Sequence, residues 1–310
     1  MPYYTPDADD WVVQANSKLC APPPKGATDP LLRYMSRQHR LTHFIGNVLD
    51  IAKRLDERTD LLAEVNEVIG GTAIDRENLF RYESVVQQDA DVMGELLATR
   101  AIDDMLTYIA QLLGLLFSTR PETLAQSNAE FKLRDVLKYG DMREFLEYAI
   151  ETEVRRLSYQ GMRDLYRDIK SKLGFRLFED DIDLNLAVKA VAIRNLHTHN
   201  NGVIDARFAF ELPEYKGREG QKVDGYNPIF IHSFATMAAV GIDERAREKW
   251  QLPAGTTEVP HHCHRFPRRA VASRSAEGET HVFKIDDDVA AEMVRRIQAQ
   301  NVLVNDPVDE

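Results

Sequence analysis

The segment DIDLNLAVKAVAIRNLHTHNNG, Asp181 to Gly202, is an apolar helical pattern that runs into a dense group of proton-active and anion-binding side chains. Leu184, Ala187, Val188 and Val191 fall on one face at helical spacing, with Leu186 and Ala190 beside them. Acidic residues at Asp181 and Asp183 suit a helix start, and Asn201-Gly202 is a stop signal. At about 100° per residue, Asn195 and His199 share a face, whereas Arg194 and His199 point about 140° apart. One helix therefore cannot easily aim Arg194 and His199 at the same atom. Either the helix ends before His199 and the backbone turns it back, or a second copy of the chain completes the site across a two-fold axis.

Outward from this segment the pattern is mainly helical. A helix is expected from Asp29 through DPLLRYMSRQHRLTHFIGNVLDIAKRLDER, with a short one in LLAEVNEVI ended by Gly70-Gly71. From Asp89 to Phe117 the apolar residues lie on several faces (Val92, Leu96, Leu97, Ile102, Met105, Leu106, Ile109, Leu112, Leu113, Leu116), as in the centre of a bundle. A long amphipathic helix is expected from Asp141 to about Leu173, stopped by Gly174. After Gly202, DARFAFEL alternates with period two and reads as a short strand. YKGREGQKVDGYNP reads as a loop, and IFIHSFATMAAVGI with DERAREKW as helix. RAVASRS and THVFKI around AEGE read as a β-hairpin, and Asp286–Gln300 as a last helix opened by three aspartates. The fold class expected is mainly α with small β-hairpin additions.

The 310 residues carry 44% hydrophobic and 29% charged side chains, which describes a folded globular chain. Two cysteines, Cys20 and Cys263, make no disulfide framework and point to a reducing, cytoplasmic setting. MPYYTPDADDW is acidic, against a secretory signal, and the apolar run Leu106–Phe117 is too short for a bilayer, so no membrane partner is expected. A net charge of −11 disfavours general nucleic-acid coating but permits a focused groove. Glu151–Arg176 holds seven Lys/Arg against four Asp/Glu, and Arg265–Arg274 holds four arginines and no acid.

The polar group at the end of the Asp181 segment has a specific chemical use. An imidazole exchanges protons near neutral pH, an arginine fork holds phosphate and steadies charge developing on it, and an asparagine orients either. These parts suffice to cleave RNA without metal, through attack by its own 2′-hydroxyl. DNA has no 2′-hydroxyl and cannot react this way.

Arg194-Asn195-Leu196-His197-Thr198-His199, followed by Asn-Asn-Gly-Val-Ile-Asp, resembles the R-(x4–6)-H motif of the HEPN superfamily in its R-N-x3-H form. Two long helices precede the motif-bearing one, as that family's antiparallel helical bundle requires. Many members are metal-independent RNases that act as dimers in toxin–antitoxin, abortive-infection and other defence systems. The resemblance implies that Arg194 and His199 are the catalytic pair, Asn195 an assisting polar residue, and His197 only a neighbour. It implies a homodimer with a composite site, no cofactor, and an antitoxin or regulatory partner protein. The competing implication is a non-catalytic HEPN-like module that binds a partner protein or nucleotide. The resemblance spans about Val86–Asp205 plus a closing helix, either Ile229–Trp250 or Asp286–Gln300. Residues 1–85 stand outside it as an arm and helical region, and 86–310 form the HEPN-like domain, with a loop and β insertion around 206–285. The bare spacing alone is not diagnostic, since Arg33…His39 and Arg37…His43 satisfy R-x5-H as well.

Arg156, Arg163, Arg167, Arg265, Arg268 and Arg269 are the candidates for holding RNA, with Tyr159 and Tyr166 able to stack on bases; for the Tyr159–Arg167 group, ordinary helix-surface packing is the alternative reading. His261-His262-Cys263-His264, with Cys20, carries zinc-type ligands, but adjacent residues diverge and no second ligand pair follows at zinc spacing. His39 and His43 stand at i and i+4 without the glutamate of a zincin motif, and Asp286-Asp287-Asp288 reads as a helix cap. No metal site is expected. No Gly-rich phosphate loop, GxSxG or kinase signature is present.

Overall fold

A computed structural model describes residues 22–57, 90–126 and 131–259. Among these residues the protein is mainly helical and has no strand, only an isolated antiparallel bridge between Val203 and Lys222. The helices are α1 (Asp29–Glu57), α2 (Ala90–Thr119), α3 (Leu133–Val136), α4 (Met142–Ser158), α5 (Met162–Leu173), α6 (Asp181–Asn200), α7 (Ala206–Glu211) and α8 (Pro228–Trp250). Short 3₁₀ turns occupy Pro121–Gln126 and Pro213–Tyr215.

Helix α2 is the axis of the structure, packed by α8, α1, α4 and α6. Ala101, Ile102, Met105, Tyr108, Ile109, Leu116 and Phe117 are fully buried on it, as its many-sided apolar pattern requires. By length and composition the Val92–Thr119 part of α2 suffices to cross a bilayer, yet 56% of that window is buried inside the protein. Its first turns differ from the rest, since Val92 and Leu96 are exposed. Gly94 lies where α8 begins: a Cβ there would stand 2.8 Å from Pro228 Cγ, so the missing side chain permits the close approach.

Helix α1, placed by sequence in a separate N-terminal region, contributes Leu31, Tyr34 and Met35 to this same core. Its N-terminus is fixed by Thr28, whose hydroxyl donates to the buried Asp243 of α8 and accepts from Leu31 N–H. Thr256 and Thr257 also donate to Asp29 Oδ1, so the chain leaving α8 returns to the start of α1.

Two expectations are corrected. The single helix Asp141–Leu173 is two helices, broken at Tyr159–Gly161. A straight helix would set the buried Leu157 and Met162 about 140° apart, so it could not lay both on one core. The corner is tied by Arg156, which holds the buried Glu153 of α4 and reaches Asp168 of α5. Lys172, with Gln160 and Arg156, holds the Asp168 carboxyl down to about 2. DARFAFEL is helix α7, not a strand. Asp205 caps it by accepting from Phe208 N–H, and the apparent alternation is not used, since Phe208 is buried and Phe210 is 88% exposed. The expected helix in 61–69, the hairpin in 269–285 and the helix Asp286–Gln300 lie outside the described residues.

Candidate functional site

Helix α6 is capped at its start by Asp180, which accepts from Asp183 N–H, and it ends at Asn201 in the left-handed region (φ 49°). Gly202 follows at φ 72°, and its N–H returns to Leu196 O at 3.1 Å. Arg194, Asn195 and His199 are thus all within one continuous helix. The alternative in which the helix stops before His199 is not what the chain does, and the divergence of about 140° between Arg194 and His199 stands.

Arg194 is held from two sides. Its Nε donates to Asp103 Oδ1 of α2 at 2.6 Å, and Nη2 lies 2.5 Å from the same oxygen. Nη1 donates to Asn195 Oδ1 at 2.8 Å. A guanidinium has five N–H donors, so each Nη keeps one that these contacts do not use. The side chain is 24% exposed, which leaves the fork accessible while its stem is fixed. Asn195 and His199 are both exposed, one turn apart on the same face. A partly exposed guanidinium fork and an exposed imidazole thus share the last turns of one helix.

His197 is more than a neighbour in structural terms. Its ring is 7% exposed and lies between three elements. Nε2 is 2.8 Å from the Tyr226 hydroxyl, and Nδ1 is 3.1 Å from Glu95 Oε2, a close polar contact without an aligned hydrogen bond. The rings of His197 and Tyr226 meet edge to face at 5.5 Å. Burial pushes the imidazole pKa below its usual range, and Glu95 acts in the opposite direction.

The proposed RNA-holding arginines have different situations. Arg156 is committed to Glu153 and Asp168. Arg163 donates to Asn185 of α6 at 3.0 Å, and Arg167 pairs with Asp164 at 3.0 Å on the surface of α5. Tyr159 is 86% exposed, whereas Tyr166 is 8% exposed and belongs to the core. Arg265, Arg268 and Arg269 lie outside the described residues, as do His261, His262, Cys263, His264, Cys20 and Asp286–Asp288. His39 is buried on α1 and His43 half-buried, and no group able to hold a metal ion occurs among the described residues.

Sequence reasoning missed Asp103, Glu95 and Tyr226. Asp103-Asp104 was a usable signal, because two adjacent acids in the middle of an apolar-rich helix call for partners where they are buried. Asp104, 3% exposed, accepts from Gln38 at 2.9 Å and from Arg100 at 3.2 Å.

No family model, curated protein or solved structure matches the chain.

Proposed function

We propose that the protein is a metal-independent endoribonuclease of HEPN type, acting as a homodimer in a defence or toxin–antitoxin setting. The observation that carries this reading is the Arg194 fork, fixed by Asp103 and Asn195 with N–H donors to spare, at the same helix end as an exposed His199. Arg194 and His199 diverge on their helix, so each copy supplies half of a site. In a two-fold pair, His199 of one copy takes the proton of the ribose 2′-hydroxyl as its oxygen bonds to phosphorus. The P–O5′ bond breaks, and His199 of the other copy gives the leaving oxygen its proton. The products are a 2′,3′-cyclic phosphate and a 5′-hydroxyl, and the arginines hold the phosphoryl oxygens as charge builds on them. The exposed Val92 and Leu96 support a partner surface beside this helix end, since Leu96 stands about two turns along α2 from Asp103.

The test is cleavage of single-stranded RNA in EDTA. Wild type should yield cyclic-phosphate ends, leave DNA intact, and lose activity in both Arg194→Ala and His199→Ala. Wild type that is dimeric yet inert on varied RNAs would favour a non-catalytic module binding a partner protein or nucleotide. Activity that dies in EDTA would point instead to metal at His261–His264.

A further inference from the structure

We propose that His197, clamped between Glu95 of α2 and Tyr226 at the entry to α8, is the positioning residue that fixes the turn ending α6 and thereby sets His199. This deepens the nuclease reading above and rests on it for the role of His199, although the clamp can be tested without it.

Three contacts converge on one imidazole. On the α2 side Glu95 Oε2 lies 3.1 Å from Nδ1, and on the α8 side the Tyr226 hydroxyl lies 2.8 Å from Nε2. On the third side is the turn itself: a Cβ on Gly202 would stand 2.9 Å from His197 Cε1 and 3.0 Å from Nδ1. The ring therefore rests on the bare backbone of Gly202, whose φ of 72° also calls for glycine. With the Glu95 carboxylate beside Nδ1, the favoured neutral tautomer carries its proton there, and Nε2 accepts from the Tyr226 hydroxyl. The lowered pKa of the buried ring agrees with a neutral imidazole at pH 7. The charged groups that bear on it are Glu95 and Lys222.

The clamp acts on a turn that is stitched to the loop after α7. Val223 N–H donates to Gly202 O at 2.8 Å, Val203 N–H to Asn200 O at 2.9 Å, and Ile204 N–H to Gln221 O at 2.8 Å. Lys222 Nζ donates to Asn201 O, and Asn200 Nδ2 to Val203 O. Every one of these bonds lies within a few residues of His199, whose own side chain is exposed. A group buried between α2 and α8 thus holds in register the backbone that carries an exposed imidazole. With so little of the ring exposed, His197 is no candidate to touch RNA.

Tyr226→Phe is the primary variant, because it removes one hydroxyl and keeps the ring packing. Hydrogen exchange of the Gly202 and Val203 amides is read alongside RNA cleavage. Exchange at both amides should quicken about tenfold, the worth of one lost hydrogen bond, while amides in the middle of α2 stay as in wild type. Cleavage should show a matching fall in kcat with KM unchanged. Glu95→Gln, which keeps shape and a polar contact at Nδ1, should retain more activity than Glu95→Ala. Unchanged turn amides in Tyr226→Phe, or a rise in KM at constant kcat, would overturn the clamp while leaving the nuclease reading in place. A wild type inert on RNA whose turn amides still loosen in Tyr226→Phe would sustain the clamp and sink the nuclease reading.

Discussion

Burial of His232 should cost the protein stability in mild acid, by an amount that one substitution removes. His232 lies on α8, 2% exposed, and its Nε2 finds no hydrogen-bond partner among the described residues. Burial, with a smaller contribution from the nearby His39, pushes its pKa down to about 4, against 6.5 for the ordinary side chain. Between those values the unfolded chain binds a proton at this position and the folded protein does not. Stability therefore rises with pH through the window, is fully present above about 6.5, and is lost as pH falls toward 4. The full span corresponds to about 3 kcal/mol, and about 2 kcal/mol is already lost at pH 5. Against a typical stability of about 5–15 kcal/mol this is readily measured.

His232→Leu has nearly the same volume, cannot titrate and removes an unpaired buried nitrogen, so it should cost little at pH 7.5. Urea unfolding at pH 7.5 and pH 5.0 for both proteins isolates the effect, because every other titrating group is common to them. Wild type should lose about 2 kcal/mol more than His232→Leu between the two pH values. Equal losses in the two proteins would refute the reasoning and mean that the ring is either accessible to water or hydrogen-bonded in solution.

Gly202→Ala places a Cβ against the His197 ring at a left-handed backbone position and should destabilise the protein by about 1–3 kcal/mol, read by urea unfolding. Arg156→Ala strips the buried Glu153 carboxylate of its partner and should cost about 2–4 kcal/mol without changing RNA affinity in a fluorescence anisotropy titration. Arg163→Ala and Arg167→Ala should do the reverse, leaving stability intact and weakening RNA binding. Asp103→Asn removes the charge that anchors Arg194 and should lower the cleavage rate by about tenfold or more with an unaltered far-UV spectrum.

The sequence made the helical architecture readable where local signals agree. Helices α1, α2, α6 and α8 have apolar patterning, acidic residues or asparagine in the sequence at or just before their starts, and Asn-Gly at the end of α6, so their ranges follow within a residue or two of the pattern. The break at Tyr159–Gly161 had one local signal, Gly161, which is the N-cap of α5, but a lone glycine inside a helical pattern does not by itself force a turn. The corner exists because α4 and α5 present differently directed apolar faces to one core. DARFAFEL misled for a different reason: eight residues are too few to separate period two from helical spacing, and the Asp205 cap outweighed the alternation. The site divides in the same way. Arg194, Asn195 and His199 are neighbours in sequence and announce themselves. Asp103 is 91 positions from Arg194 and Tyr226 is 29 from His197, and no local pattern records such pairings.

Those long-range partners explain why a polar cluster can sit at the end of α6 without disordering it. Asp103 and Asp104 are adjacent on α2, so they point about 100° apart and serve different helices. Asp104 turns to α1, where Gln38 and Arg37 meet it, and Asp103 turns to α6, where it takes Arg194. Left unpaired, the buried Asp104 carboxylate would cost several kcal/mol in the most apolar helix. The partly exposed Asp103 carries a smaller penalty, and its pairing serves chiefly to hold Arg194. Arg194 is thereby fastened to the most deeply buried element of the fold, and its fork keeps a defined direction. Among the described residues no side chain anchors the exposed His199 in this way. Its placement falls to the backbone of the last turn, and therefore to the His197 ring that rests against Gly202.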